Sequence, residues 1–231
     1  MPTTSSETFA RPSNASSRNA LVAWLAIATL LVALGFLGTS TGQTDPNVLY
    51  EYSFAAGSTL IYAVLVAVTF AVGHSFPCAP EALGLERFEW SWVWRAIGLI
   101  VLVLALGVAL EPLLHASEKQ GFAPDAWRSD RAGAFAVNAV VASTVVPFAE
   151  ELFFRGLGVR VLVPFGGFAA VGVTALAFGL GHGLLVALPI LVPFGLALGW
   201  VRWRSDSVWP GVIAHGSYNG IALLVLYLTL A

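Results

Sequence analysis

Long apolar runs separated by short polar breaks dominate this chain. The first extends from Ala20 to about Gly38, and others cover about 57–76, 93–114, 132–155, 166–183, 184–201 and 208–230. Each comes near the ~20 residues a helix needs to cross a hydrocarbon core. The pattern therefore predicts an all-α fold, a polytopic transmembrane helical bundle of about seven spans. The faintest break is at Gly183, where apolar character barely pauses between the fifth and sixth runs. The fourth run is overlong, because it continues to Pro164. About 30 helical residues would extend roughly 45 Å, more than the core is thick. This span is expected to tilt, to kink near Pro147 or to project into the cytosol. Residues 1–19, rich in Ser, Thr, Asn and Pro, lack the pattern and read as a disordered polar tail. The run after them is long for a signal-peptide core, and no clear A-x-A site follows, so it is expected to remain as a first span. Residues 20–231 read as a single membrane domain, its first three spans lying in 20–114.

Composition strengthens the membrane assignment. The chain is 58% hydrophobic and only 10% charged, against about a quarter charged in a soluble domain. The net charge of −2 and the absence of a basic patch give no reason to expect nucleic acid; the lipid bilayer is the expected surrounding partner. The one cysteine, Cys78, excludes an internal disulfide and any multi-cysteine metal site. With the N-terminus inside, the inner segments hold Arg11, Arg18, Arg87, Arg95, Arg155, Arg160, Arg202 and Arg204, and the outer loops only Lys119, Arg128 and Arg131. The positive-inside bias thus predicts a multi-pass integral protein with a cytoplasmic N-terminus, in the plasma (inner) membrane if the source is prokaryotic. Trp90, Trp92, Trp94, Trp200, Trp203 and Trp209 cluster by span ends, as an aromatic belt would.

Candidate chemistry lies in three polar clusters inside the later spans: Glu150-Glu151-Leu-Phe-Phe-Arg155, Phe178-Gly-Leu-Gly-His182 and His215-Gly-Ser-Tyr-Asn219. Ionisable groups are costly in a bilayer, so they should face the bundle interior and mark a functional site. Glu151 and Arg155 are i, i+4 with the acid first, the favourable order for an ion pair. Glu150 lies about 100° round the helix from Glu151, so Arg155 is expected to neutralise Glu151 and leave Glu150 unpaired. A desolvated, unpaired glutamate suits a general base. Taking 164–167 as a turn, Glu150 and His182 both sit roughly 21–23 Å from it, which brings them to one level in an antiparallel hairpin. His215 and Asn219, again i, i+4, can both donate to one point, as an oxyanion site requires. His74 and His115 fall near span ends and read as interfacial. Asn138, Ser143 and Thr144 read as helix–helix hydrogen-bonders.

The ordered set EExxxR, FxxxH and HxxxN resembles the CPBP family, which includes the CAAX prenyl endopeptidases and bacteriocin-processing or abortive-infection proteins. The resemblance covers about 132–225, which would be the catalytic core. It implies intramembrane endoproteolysis, in which Glu150 and His182 activate the water and His215 and Asn219 stabilise the oxyanion. Glu151, Arg155 and Phe178 would support them. The substrate would be a protein or peptide with a membrane-associated segment: a CAAX-like terminus, a sorting signal or a leader peptide. No cofactor is the favoured expectation. Zinc is the alternative, its ligands then being Glu150, His182 and His215. Two other functions compete. A catalytically silent immunity factor or scaffold would be marked by a lost motif residue, and none is lost. A transporter or proton relay would be marked by an internal repeat or paired broken helices. The pattern leaves oligomeric state open.

Overall fold

The computed structural model describes residues 15–40, 45–76, 79–116, 124 and 126–231. Residues 1–14 of the expected tail, with Arg11, lie outside these, as do Cys78 and Lys119. Among the described residues seven long helices carry the fold: α1 (Ala15–Ser40), α2 (Tyr52–Gly73), α3 (Trp90–Leu114), α4 (Ala132–Glu150), α5 (Gly167–Gly181), α6 (Leu188–Ser205) and α7 (Trp209–Leu230). No strand occurs among the described residues. Helix α1 begins at Ala15 rather than at Ala20, because a nucleated helix extends at little cost into adjacent helix-compatible residues.

Six helical stretches among the described residues are long and apolar enough to cross a membrane, including Ser129–Phe165, of which α4 is the first part. Helix α5, with 15 residues, is shorter. It rises about 22 Å, less than the ~30 Å hydrocarbon core. The helical bundle is therefore as expected, with α5 as its short member. The faint break at Gly183 is a true reversal of the chain. Gly183 has φ +67° and packs against the Gly35 carbonyl of α1, where a Cβ would collide. A 3-10 turn, Leu185–Ala187, follows, and α6 starts with a proline in its first turn, a position that needs no N–H.

The fourth element is overlong, as expected. Beyond Glu150 it continues as a π-helical stretch, Glu151–Gly158, then an α-turn, Val159–Leu162, and a 3-10 turn, Val163–Phe165. The whole apolar stretch is 37 residues. Pro147 lies inside α4 one turn before the π segment. It has no N–H to offer the carbonyl four residues back. That carbonyl, of Ser143, lies against Gly216 of α7, where a Cβ would collide with it. The helical ladder thus loosens where the glutamates are placed.

Helix α4 packs between α2 and α7, α5 against α6 and α1, and α3 against α6 and α7. Every residue of the π stretch is buried, in a core that includes Trp24, Phe178, Phe194 and Leu198. The outer faces are apolar: Leu113 is 78% exposed and Leu228 66%, while Glu151 is 0% and Arg155 1%. Apolar outside and charge inside is the arrangement a lipid surround selects. Asn138 acts as a tie, its Nδ2 lying 3.0 Å from the carbonyls of Leu49, Glu51 and Ala134, which share its two hydrogens. Thr144 returns its hydroxyl to Val140 of its own helix. His74 and His115 both cap helix ends and are exposed.

Candidate active site

The glutamate pair sits at the junction between α4 and the π stretch. Arg155 Nη1 lies 3.1 Å from Glu151 Oε1, so the expected ion pair forms even though the intervening turn is π rather than α. Arg155 Nη2 also donates to the Gly195 carbonyl at 3.4 Å, and the guanidinium stands 4.4 Å over the Phe178 ring. The same Glu151 Oε1 accepts from His215 Nδ1 at 3.1 Å. A carboxylate only accepts, so Nδ1 carries the hydrogen. Gly211 of α7 lies against the other oxygen; a Cβ there would stand 3.0 Å from Glu151 Oε2.

Glu150 is not unpaired, which corrects the expectation from helix arithmetic. Tyr62 Oη, from α2, donates to Glu150 Oε1 at 2.9 Å. Glu150 Oε2 faces His215 Nε2 at 3.8 Å, beyond direct hydrogen-bonding range but close enough for one water to touch both groups. The physical reason is that a buried carboxylate without partners is costly, and helix arithmetic within one element cannot see donors from another. Sequence reasoning missed Tyr62. Its signal was a phenol in the middle of an apolar span, away from the interfaces where tyrosine is usual. Trp24 was missed in the same way. It is fully buried, and its indole N–H donates to the Phe153 carbonyl in the π stretch at 3.2 Å.

Phe178 is the hub around which the three clusters meet. Its ring lies edge-on to His182 (centroids 4.8 Å), His215 (5.9 Å) and Phe154 (5.6 Å), and stacks on Phe194 (5.9 Å). His182 ends α5 and is exposed. Its Nδ1–H donates to the Phe178 carbonyl at 2.9 Å, which leaves Nε2 as the free acceptor of the neutral ring. Among the described residues no hydrogen bond or ion pair joins His182 to Glu150. Asn219, one turn beyond His215, donates to the Ala142 carbonyl at 2.8 Å, committing one of its two amide hydrogens and leaving the second. A groove of about 460 Å³ runs between α4 and α7, lined by Ser143, Thr144, Phe148, Trp209 and Gly216 among others. Gly216 is the neighbour of His215.

Of the candidate zinc ligands, Glu150 and His215 approach one another at 3.8 Å, and no group of three His, Cys, Asp or Glu side chains suited to a metal ion occurs among the described residues.

The start of α7, and hence the level of His215, is set at the α6–α7 turn. Val208 N–H donates to the Gly84 carbonyl (2.9 Å) and the Trp209 indole to Leu85 O (3.2 Å). Asp206 takes the left-handed conformation, φ 54°, with Oδ1 3.7 Å from Arg202 Nη1. Burial raises the Asp206 carboxyl above its ordinary range, and Arg202 opposes the rise.

No curated protein and no solved structure matches this chain. A family model does match, over residues 132–221, and its description is Type II CAAX prenyl endopeptidase Rce1-like. That range contains Glu150, Glu151, Arg155, Phe178, His182, His215 and Asn219; Trp24 and Tyr62 lie before it. The family is one of proteases, and the chain is an integral multi-pass helical membrane protein. Its segment 132–221 is similar to the Rce1-like type II CAAX prenyl endopeptidases, consistent with the CPBP family of intramembrane proteases.

Proposed function

We propose that the chain is an intramembrane endopeptidase that hydrolyses a peptide bond in a membrane-associated substrate. The carrying observation is the facing of Glu150 Oε2 and His215 Nε2 at 3.8 Å in a buried, aromatic-walled site. A water beside this gap, within reach of both groups, would give its proton to Glu150 as its oxygen attacks the scissile carbonyl. His182, with Nε2 free, assists in activating that water. The tetrahedral oxyanion would be met by the second Asn219 amide hydrogen and by His215, whose Nε2 donates when the ring is protonated against Glu151. Glu150 then returns the proton to the departing amine, so that peptide and water become acid and amine. Glu151 and Arg155 hold the His215 ring, and Phe178 packs between the two imidazoles. These steps use side chains alone and call on no cofactor.

The substrate we propose is a polypeptide with a membrane-associated segment bearing a CAAX-like terminus, a sorting signal or a leader peptide. The groove between α4 and α7 supports substrate access to this part of the bundle, because its lining includes Gly216, next in sequence to His215. The arginine bias supports a cytoplasmic N-terminus, in the inner membrane if the cell is prokaryotic. The test maps protein termini in membranes of cells carrying wild-type chain or Glu150→Gln. Precursors left uncleaved only in the variant are the expected result and would identify the substrate. Identical termini at equal expression would reject the peptidase and favour a silent scaffold or immunity factor with the same fold.

A further inference from the structure

Glu150 carries two oxygens with separate surroundings. Oε2 faces His215, and Oε1 is taken by one donor from a different helix. On α2 the buried Thr69, and Thr59 three residues before Tyr62, return their hydroxyls to Leu65 O and Ala55 O of their own helix. Tyr62 is different: its ring packs against the main core and its hydroxyl crosses to α4. Arg155 and His215 Nδ1 are both directed to Glu151, and His215 Nε2 stands 3.8 Å from Glu150 Oε2, beyond hydrogen-bonding range. Tyr62 is thus the one side chain among the described residues that donates a hydrogen bond to Glu150.

We propose that Tyr62 is a positioning residue for the hydrolytic reaction, acting through Glu150. This rests on the peptidase reading above. A carboxylate on a flexible side chain can rotate about its last torsions. Anchoring Oε1 fixes the carboxylate plane and turns Oε2 toward His215, where the attacking water must sit. The phenol also satisfies the buried oxygen that does no chemistry, without placing a competing cation beside the base. Tyr62 lies outside the Rce1-like segment 132–221, so the amino-terminal half would contribute to the site itself as well as to its scaffold.

Tyr62→Phe removes the hydroxyl and keeps the ring. In the purified full-length chain, acting on a peptide that the wild type cleaves, we expect kcat to fall about ten- to a hundredfold, the range that misplacing a reacting group costs. KM should stay unchanged, and the melting temperature should fall by a few degrees, because a buried carboxylate oxygen loses its donor. An unchanged kcat would overturn the inference, as would a fall in kcat/KM that comes from a raised KM alone, since that marks a residue that shapes binding and does not position the base. Glu150→Gln measured in parallel separates the two ideas. If wild type and Glu150→Gln behave alike, the peptidase reading fails and the role of Tyr62 falls with it. If Glu150→Gln is inactive and Tyr62→Phe is not impaired, only the Tyr62 inference fails.

Discussion

Arg155→Ala isolates the buried ion pair on which the site is built. Arg155 and Glu151 are 1% and 0% exposed and 3.1 Å apart. Removing one partner of such a pair leaves the other charge stranded, at a cost of about 3–5 kcal/mol. The loss of the guanidinium over Phe178, 4.4 Å from the ring centroid, adds to this. At about 2–4 °C per kcal/mol for a chain of this size, the melting temperature should fall by roughly 6–20 °C. One group limits the damage: His215 Nδ1 also reaches Glu151 Oε1, and a protonated ring would replace part of the lost charge. The fall should therefore lie in the lower half of that interval. The assay is thermal unfolding of the detergent-solubilised chain, followed by the loss of monodisperse protein on heating. The control is Glu151→Gln with Arg155→Met, which removes both charges and should recover most of the loss, because a neutral pair strands nothing. A melting temperature within 2 °C or so of wild type in Arg155→Ala would refute the claim that this pair carries buried charge. So would a double variant less stable than Arg155→Ala.

Two further substitutions probe the surroundings of the site. Gly211→Val places methyl groups where even a Cβ would stand 3.0 Å from Glu151 Oε2; it should lower stability by about 1–3 kcal/mol and reduce cleavage, and an unaltered melt would show that the carboxylate has room to move. Asp206→Asn keeps a residue that tolerates the left-handed conformation and removes a carboxyl whose pKa burial raises, with Arg202 opposing. Because the folded value lies above the unfolded one, Asp206 contributes stability in full below about pH 3.9 and loses it as pH rises through the folded value. Wild type should therefore lose melting temperature relative to Asp206→Asn as pH rises above about 3.9; parallel pH profiles would count against the assignment.

The order of elements was legible because lipid-facing helices need unbroken apolar runs, and every run in the chain became a helix. Even the faint break at Gly183 was real, for a glycine is what a positive φ beside another backbone requires. The overlong fourth run also became an overlong helical element. Its π segment was not legible, since a change from i+4 to i+5 bonding inside an apolar run leaves no composition signal. In the site, the Glu151–Arg155 pair could be read from spacing alone, because both groups lie on one element. The supposed freedom of Glu150 was wrong for the converse reason, since its partner Tyr62 comes from another element, α2.

These two errors share a cause and point to how the bundle works. A π stretch leaves backbone carbonyls off the regular ladder, and a buried glutamate needs a donor. Trp24 of α1 meets the first need at Phe153 O and Tyr62 of α2 meets the second at Glu150 Oε1. Both donors are aromatic and therefore invisible in a hydropathy profile, where they count as apolar filler. Each bears one N–H or O–H that lipid cannot satisfy, and so each is held to a single orientation by the group it serves. The first two helices lie before the Rce1-like segment, yet they supply hydrogen bonds to the stretch that bears the glutamates. An aromatic residue with a polar tip in the middle of a span is thus a sign that some buried acceptor on another helix awaits it. In a bundle whose outer faces offer only lipid, that acceptor lies inward, on the functional side.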